Sequence, residues 1–154
     1  MKAVKFLILI LLISFSVCTT IQEVYNNASS LNGYDKYLIL DSNIIYTGGL
    51  GVFEGNVYIE GNGATIDLDD SGGLWAFADE EFPASLSIEY CSIINSSFDG
   101  GFGMSYSGVA SGTIRNCNFV NNHMGIKLFG NADVEIINCN FVNNLVDNSN
   151  INVE

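Results

Sequence analysis

The sequence predicts an all-β fold, a parallel β-solenoid of roughly five coils. Residues 114–122 and 136–144 are nearly the same nine residues, with eight matches at an offset of 22. Both copies are rich in Asn and in β-branched and aromatic residues, and neither carries helix signals. Repeats of this length are typical of solenoids, in which each repeat forms one coil stacked on the last.

Short strands are predicted upstream of this repeat. Segments 37–40, 44–46, 57–60 and 65–68 are apolar or β-branched and are bounded by Gly, Asn and Asp. With the later repeats they would build coils over residues 37–147. At about 4.8 Å per stacked strand, five coils would form a rod about 24 Å long.

The repeat also predicts two insertions. Residues 103–108 align with 125–130 at the same offset of 22, whereas an earlier copy aligns Cys91 with Cys117 at a step of 26. Four extra residues are therefore expected between Asn95 and Gly103. A second insertion is expected at residues 79–83, and such insertions usually form loops on one face of a solenoid.

The N-terminus predicts export. Residues 1–18 combine a basic start with an apolar stretch of signal-peptide size, and small residues precede a cleavage point after Cys18. The interpretation is a signal peptide at 1–18, a cap or linker at 19–36, and a β-helix domain at 37–154 that is truncated or continues in a longer protein. Acylation of Cys18 and an uncleaved anchor stay open as alternatives. The expected location is extracellular or at the cell surface.

Charge excludes some partners. Loss of residues 1–18 would leave three basic residues (Lys36, Arg115 and Lys127) against 17 acidic ones, a net charge of −14. Nucleic acid needs clustered Lys and Arg, so it is not an expected partner, and no membrane contact is expected beyond the signal peptide. Expected partners are polysaccharide or cell-surface glycan, further β-helix repeats, or a second copy of the chain.

Ladders of equivalent residues are predicted in the stacked coils. Cys91, Cys117 and Cys139 are equivalent, and in-register Cβ atoms about 4.8 Å apart lie beyond the usual disulfide distance near 3.8 Å. They are predicted to be free and to pack inside beside Ile93, Phe119 and Phe141. Two sets of equivalent Asn residues are expected in turns, with amides hydrogen-bonded from coil to coil: Asn95, Asn121 and Asn143, and Asn116 and Asn138.

The coil, with inward Ile, Cys and Phe and a turn Asn, resembles those of right-handed parallel β-helix proteins, the pectin-lyase-like superfamily. Residues 59–68, followed by Gly72, Gly73 and Trp75, resemble an early coil of polygalacturonases. The resemblance implies extracellular handling of polysaccharide.

The catalytic residues of that superfamily do not carry over to this chain. Hydrolysis there needs an Asp cluster, a Gly-His-Gly and an Arg-x-Lys, whereas the single His here is His123 and Arg115 precedes Asn116. Elimination there needs a basic proton acceptor over a calcium-bound uronate, and Arg115 and Lys127 are the candidates in the repeat region. No catalytic residue is therefore assigned.

One acidic loop is a candidate calcium site. Asp67, Asp69 and Asp70, followed by a Ser and a Gly, give oxygen ligands on a tight turn, as Ca²⁺ prefers. The pattern fails at its last position, where Ala78 stands in place of a carboxylate. A solvated turn is the alternative, and no other cofactor is expected.

Three functions stay open. The first is a structural, adhesive or glycan-binding module without catalytic activity, for which Trp75, Phe77 and Phe82 offer a sugar-stacking surface or, alternatively, cover the core. The second is a polysaccharide lyase or hydrolase, complete or remnant. The third is an inactive scaffold fragment.

Overall fold

The computed structural model describes residues 19–146 as a parallel β-helix of about five coils. The predicted signal peptide and residues 147–154 lie outside the described residues. A seven-residue helix, α1 (Ile21–Asn27), stands at the N-terminal end with Ile21 fully buried. Its capping box joins Thr20 and Glu23. Within residues 19–146 no helix is long and apolar enough to cross a bilayer.

Three parallel sheets form the walls of the β-helix, and the chain passes through sheets 1, 2 and 3 in turn in each coil. Sheet 1 contains β2 (Lys36–Ile39), β5 (Gly55–Glu60), β8 (Ala84–Glu89), β11 (Ser111–Arg115) and β14 (Asp133–Ile137). Sheet 2 contains β1 (Thr19–Thr20), β3 (Ile45–Thr47), β6 (Thr65–Asp67), β9 (Ser92–Ile94), β12 (Asn118–Val120) and β15 (Asn140–Val142). Sheet 3 contains β4 (Leu50–Val52), β7 (Leu74–Ala78), β10 (Phe102–Gly108) and β13 (Met124–Leu128). Strand β1 adds a strand to sheet 2, and in the described residues the last coil has no strand in sheet 3.

The strand register confirms the predicted repeat. Ile114 pairs with Ile136 in sheet 1 and Phe119 with Phe141 in sheet 2, both at the expected offset of 22. Asn118 pairs with Ser92, which places Cys91 level with Cys117 as predicted. The identical side chains therefore stack directly above one another.

Both predicted insertions are loops between sheets. Seven residues separate β9 from β10, whereas three separate β12 from β13 one coil later. Six residues lie between Ala78 and Ser85, whereas two lie between their partners Gly108 and Ser111. Each loop thus adds four residues, and the sheets keep their register because the extra chain projects outward.

The core confirms the predicted inward positions, with a difference at the last coil. Ile114, Cys117 and Phe119 are fully buried and Ile136 is nearly so. Cys139 and Phe141 are half-buried and pack against this core. The Phe119 and Phe141 rings stack 5.2 Å apart at an interplanar angle of 10°. Their exposure differs because no described coil covers the last one.

The predicted Asn turns are present, but these residues do not form the expected amide-to-amide ladder; the Asn95 amide instead donates to Asp67 Oδ1 in the neighbouring coil at 3.1 Å. All five Asn residues of the two predicted sets have a left-handed backbone, with φ between 51° and 59°. Asn121 and Asn143 are exposed, so their amides meet solvent. The amide contact between coils joins Asn140 Nδ2 to Asn118 Oδ1 at 2.9 Å. The buried Asn122 amide instead accepts from the Ser96 backbone and donates to a carbonyl below.

Candidate functional site

Sheet 3 and the residues that directly follow its strands carry large aromatic side chains, here called the aromatic face: Phe53, Trp75, Phe77, Phe102 and Phe129. Phe102 is half-buried, and the other four are exposed. Trp75 and Phe77 alternate along β7 with fully buried Leu74, Ala76 and Ala78, as expected for a strand with one face in the core. Trp75, Phe77 and Phe129 are each exposed by more than 40%.

The register of sheet 3 aligns this face into columns. Gly51, Trp75, Ser105 and Lys127 are successive partners on neighbouring strands. Four strands spaced about 4.8 Å apart give the face a length of about 14 Å along the rod axis. This length suits a chain-like ligand that crosses the strands.

Two hollows lie on the face and meet at Gly51. One, of about 460 Å³, is lined by Phe53, Phe77 and Phe82 with Glu54 and Asp79 at its edge. The other, of about 450 Å³, lies along Gly51, Trp75, Phe102 and Ser105. Both are mainly apolar depressions with a few polar groups, which is typical of ligand pockets.

Gly51 keeps the floor between the hollows low. A Cβ atom there would come within 2.9 Å of both Phe53 Cε2 and Trp75 Nε1. These rings meet edge to face, 5.1 Å apart at 81°. Any larger residue at this position would therefore displace the Phe53 or Trp75 ring.

The two ends of the aromatic face differ in charge. Lys127 Nζ lies over the Phe129 ring at 4.5 Å and the Phe102 ring at 5.4 Å, both within cation–π range. Glu54 and Asp79 lie at the opposite end. A bound chain would therefore meet a positive group at one end and carboxylates at the other.

The insertion after β7 adds Phe82 to the face. Asp79 Oδ1 accepts hydrogen bonds from the backbone N–H of Phe82 at 2.8 Å and of Glu81 at 2.9 Å. This tight turn holds Phe82 at the rim of the first hollow. The sequence had singled out Trp75, Phe77 and Phe82, and the structure brings them together on one side of the rod.

The acidic loop lies at the end of β6. Asp67 Oδ1 accepts from Asp69 N and from Asn95 Nδ2, each at 3.1 Å. Asp69 and Asp70 have left-handed backbones, with φ of 49° and 59°. In the described part of the chain, no three His, Cys, Asp or Glu side chains are grouped to hold a metal ion. Calcium binding by Asp67, Asp69 and Asp70 stays a prediction.

The basic candidates for catalysis lie apart. Arg115 ends β11 in sheet 1, whereas Lys127 belongs to sheet 3. His123 lies in the turn before β13, with Nδ1 buried and unpartnered among residues 19–146. The structure therefore does not gather them into one site.

The three cysteines form a column of free thiols between sheets 1 and 2. Burial raises the pKa of the Cys91 thiol to about 12. Cys117 Sγ donates to Arg115 O at 3.2 Å, and Cys139 Sγ donates to Ile137 O at 3.4 Å. The interaction between the two neighbouring thiols raises the pKa of Cys117 and lowers that of Cys139. The more exposed thiol of this pair is the one that ionises, since its charge retains water.

The three parallel sheets and stacked coils define the class of protein, a parallel β-helix. Residues 55–154 match the family model described as right handed beta helix region, and the chain belongs to this family. The membership agrees with the resemblance to the pectin-lyase-like superfamily. No curated protein and no solved structure matches the chain.

Proposed function

We propose that this chain is a secreted or cell-surface β-helix module that binds glycan on the aromatic face and has no catalytic activity. The observation that carries the proposal is the group of aromatic rings on and beside the in-register strands of sheet 3, four of which are exposed. A contiguous exposed apolar patch on a soluble protein marks an interaction site. A sugar ring presents C–H groups that pack on an aromatic face, while its hydroxyls reach polar groups at the rim.

The charge of the chain favours glycan over other polymers. With a net charge of −12, the chain repels nucleic acid and anionic lipid. The hollows beside Gly51 combine stacking surfaces with Glu54, Asp79 and Ser105 as hydrogen-bonding groups. This combination suits neutral polyhydroxylated ligands.

Binding is tested on a glycan array and on soluble polysaccharides by calorimetry. Trp75→Ala should weaken binding at least about tenfold, because it removes the central stacking ring. Phe98→Ala is the matched control, since Phe98 is 61% exposed in the other insertion and lines neither hollow. Equal effects of the two variants, or no glycan binding by the parent chain, would contradict the proposal.

Absence of catalysis and export are tested separately. Release of reducing ends or unsaturated uronates from a bound polysaccharide would favour the lyase or hydrolase alternative. If the chain is exported as proposed, N-terminal sequencing of the secreted protein should begin at Thr19. Retention of residues 1–18, or a lipid on Cys18, would replace secretion with membrane anchoring.

A further inference from the structure

Sheet 1 carries a second, polar notch on another face of the rod. It has a volume of about 250 Å³ and is lined by Tyr34, Tyr58, Ser87, Glu89, Thr113 and Arg115, together with Ile88. None of these residues lines the hollows of the aromatic face. Its lining side chains are mainly charged or hydroxylated, so its ligand must differ in chemistry from a ligand of the aromatic face.

One wall of the notch is formed by Tyr34 and Tyr58, and Tyr37 packs against both of them. Tyr58 lies 4.8 Å from Tyr34 and 5.0 Å from Tyr37 between ring centroids. The Tyr37 hydroxyl donates to Glu60 Oε2 at 3.0 Å. Burial and the neighbouring Glu89 carboxylate raise the pKa of the Tyr58 hydroxyl. This hydrogen bond fixes the Glu60 carboxylate against the rings, and Glu89 lines the notch together with Tyr58.

The charges are ordered along the rod axis. Glu60, Glu89 and Arg115 are register partners on three successive strands, so two carboxylates are followed by one guanidinium. Arg115 is exposed and has no ion pair among residues 19–146. A negative and a positive group thus stand side by side, about 4.8 Å apart at the backbone.

We propose that this notch binds a small zwitterion of the α-amino acid type. The ligand's ammonium group lies against Glu89 and the tyrosine rings, which attract a cation through charge and through the ring face. Its carboxylate meets the Arg115 fork, whose planar donors match two carboxylate oxygens. The Ser87 and Thr113 side chains line the space between these two groups.

Ligands with one kind of charge fit less well. A phosphate or sulfate would face two carboxylates beside a single guanidinium, and an amine alone would leave Arg115 unpaired. A ligand that carries both charges within one strand spacing pairs with Glu89 and with Arg115 at once. This double pairing is what distinguishes a zwitterion from ligands with a single charge.

The test is titration calorimetry of the purified chain with glycine and L-leucine, each up to about 10 mM, a range that covers millimolar affinity. Propionate and ethylamine, which carry one charge each, serve as probes of the two halves. We expect saturable binding of the amino acids and at least about tenfold weaker binding of either single-charge probe.

Variants assign the binding to this notch. Arg115→Gln and Glu89→Gln should each weaken glycine binding about tenfold or more. Glu135→Gln should leave it unchanged, because Glu135 lies one strand further on and does not line the notch. Trp75→Ala should also leave it unchanged, which separates this site from the aromatic face. Lack of saturation, insensitivity to both notch variants, or equally strong binding of methyl glycosides would overturn the proposal.

Discussion

Replacement of Phe119 by Ala tests the stacked core directly. Phe119 is fully buried, pairs in register with Ile93 and Phe141, and stacks on the Phe141 ring at 5.2 Å. Its truncation removes a whole aromatic ring and leaves a cavity between two coils. Such large-to-small changes cost about 3–5 kcal/mol of unfolding free energy.

Phe141→Ala is the matched comparison because it removes the same ring from the last described coil. Phe141 is half-buried, so less surface returns to water and the space left behind opens to solvent. We expect about half the cost of Phe119→Ala, roughly 2 kcal/mol, because the hydrophobic stabilisation is proportional to the apolar area removed from water. A fully buried Phe141 would instead cost about the same 3–5 kcal/mol as Phe119.

The measurement is urea unfolding followed by circular dichroism and tryptophan fluorescence at Trp75. Stacked repeats do not always unfold in a two-state manner. A two-state comparison is valid if the two probes give coincident transitions and the dependence of the unfolding free energy on urea is the same in both variants. A cost below about 1 kcal/mol for Phe119→Ala would refute its place in a packed core. Equal costs for the two variants would show that further chain covers Phe141.

Two other predictions concern ions and thiols. Millimolar Ca²⁺ should raise the melting temperature if Asp67, Asp69 and Asp70 bind it, because a ligand of the folded state stabilises that state. Asp69→Ala should then abolish the rise, whereas a small rise that survives the substitution would mean diffuse cation binding. For the thiols, iodoacetamide should label Cys139 in preference to Cys91 and Cys117 in the native protein, at a rate that rises with pH and levels off below the usual thiol range, because the pKa of Cys139 is lowered. The labelling rate follows the thiolate fraction, so it decreases as the pH falls below the pKa of Cys139. Cys139→Ser should abolish this labelling, and preferential labelling of the buried Cys117 would contradict the assignment.

Sequence reasoning succeeded where the repeat is well conserved within the chain itself. The nine-residue repeat at 114–122 and 136–144 correctly predicted the pairing of Ile114 with Ile136 and of Phe119 with Phe141. The same alignment located both insertions, because parallel strands in register leave extra residues only in the connections. Short upstream strands were also found from their composition, since their ends carry Gly, Asn and Asp.

The two candidate sites were harder to predict. The steps from Leu50 to Leu74 and from Leu74 to Met104 are 24 and 30 residues, unlike the later step of 22. Without that register, nothing in the sequence places Phe53 and Phe102 beside Trp75. The tyrosine notch needed the same knowledge, because its lining comes from successive coils whose lengths differ.

The composition of β7 supports a functional reason for the aromatic face. The strand places Ala76 and Ala78 in the core and turns Trp75 and Phe77 to solvent. Selection for stability alone would favour the opposite arrangement, since burial of a large side chain contributes about 1.5–3 kcal/mol. The aromatic rings also add an exposed apolar patch, which favours aggregation. High negative charge offsets that tendency, so the rings can remain exposed for the ligand that we propose.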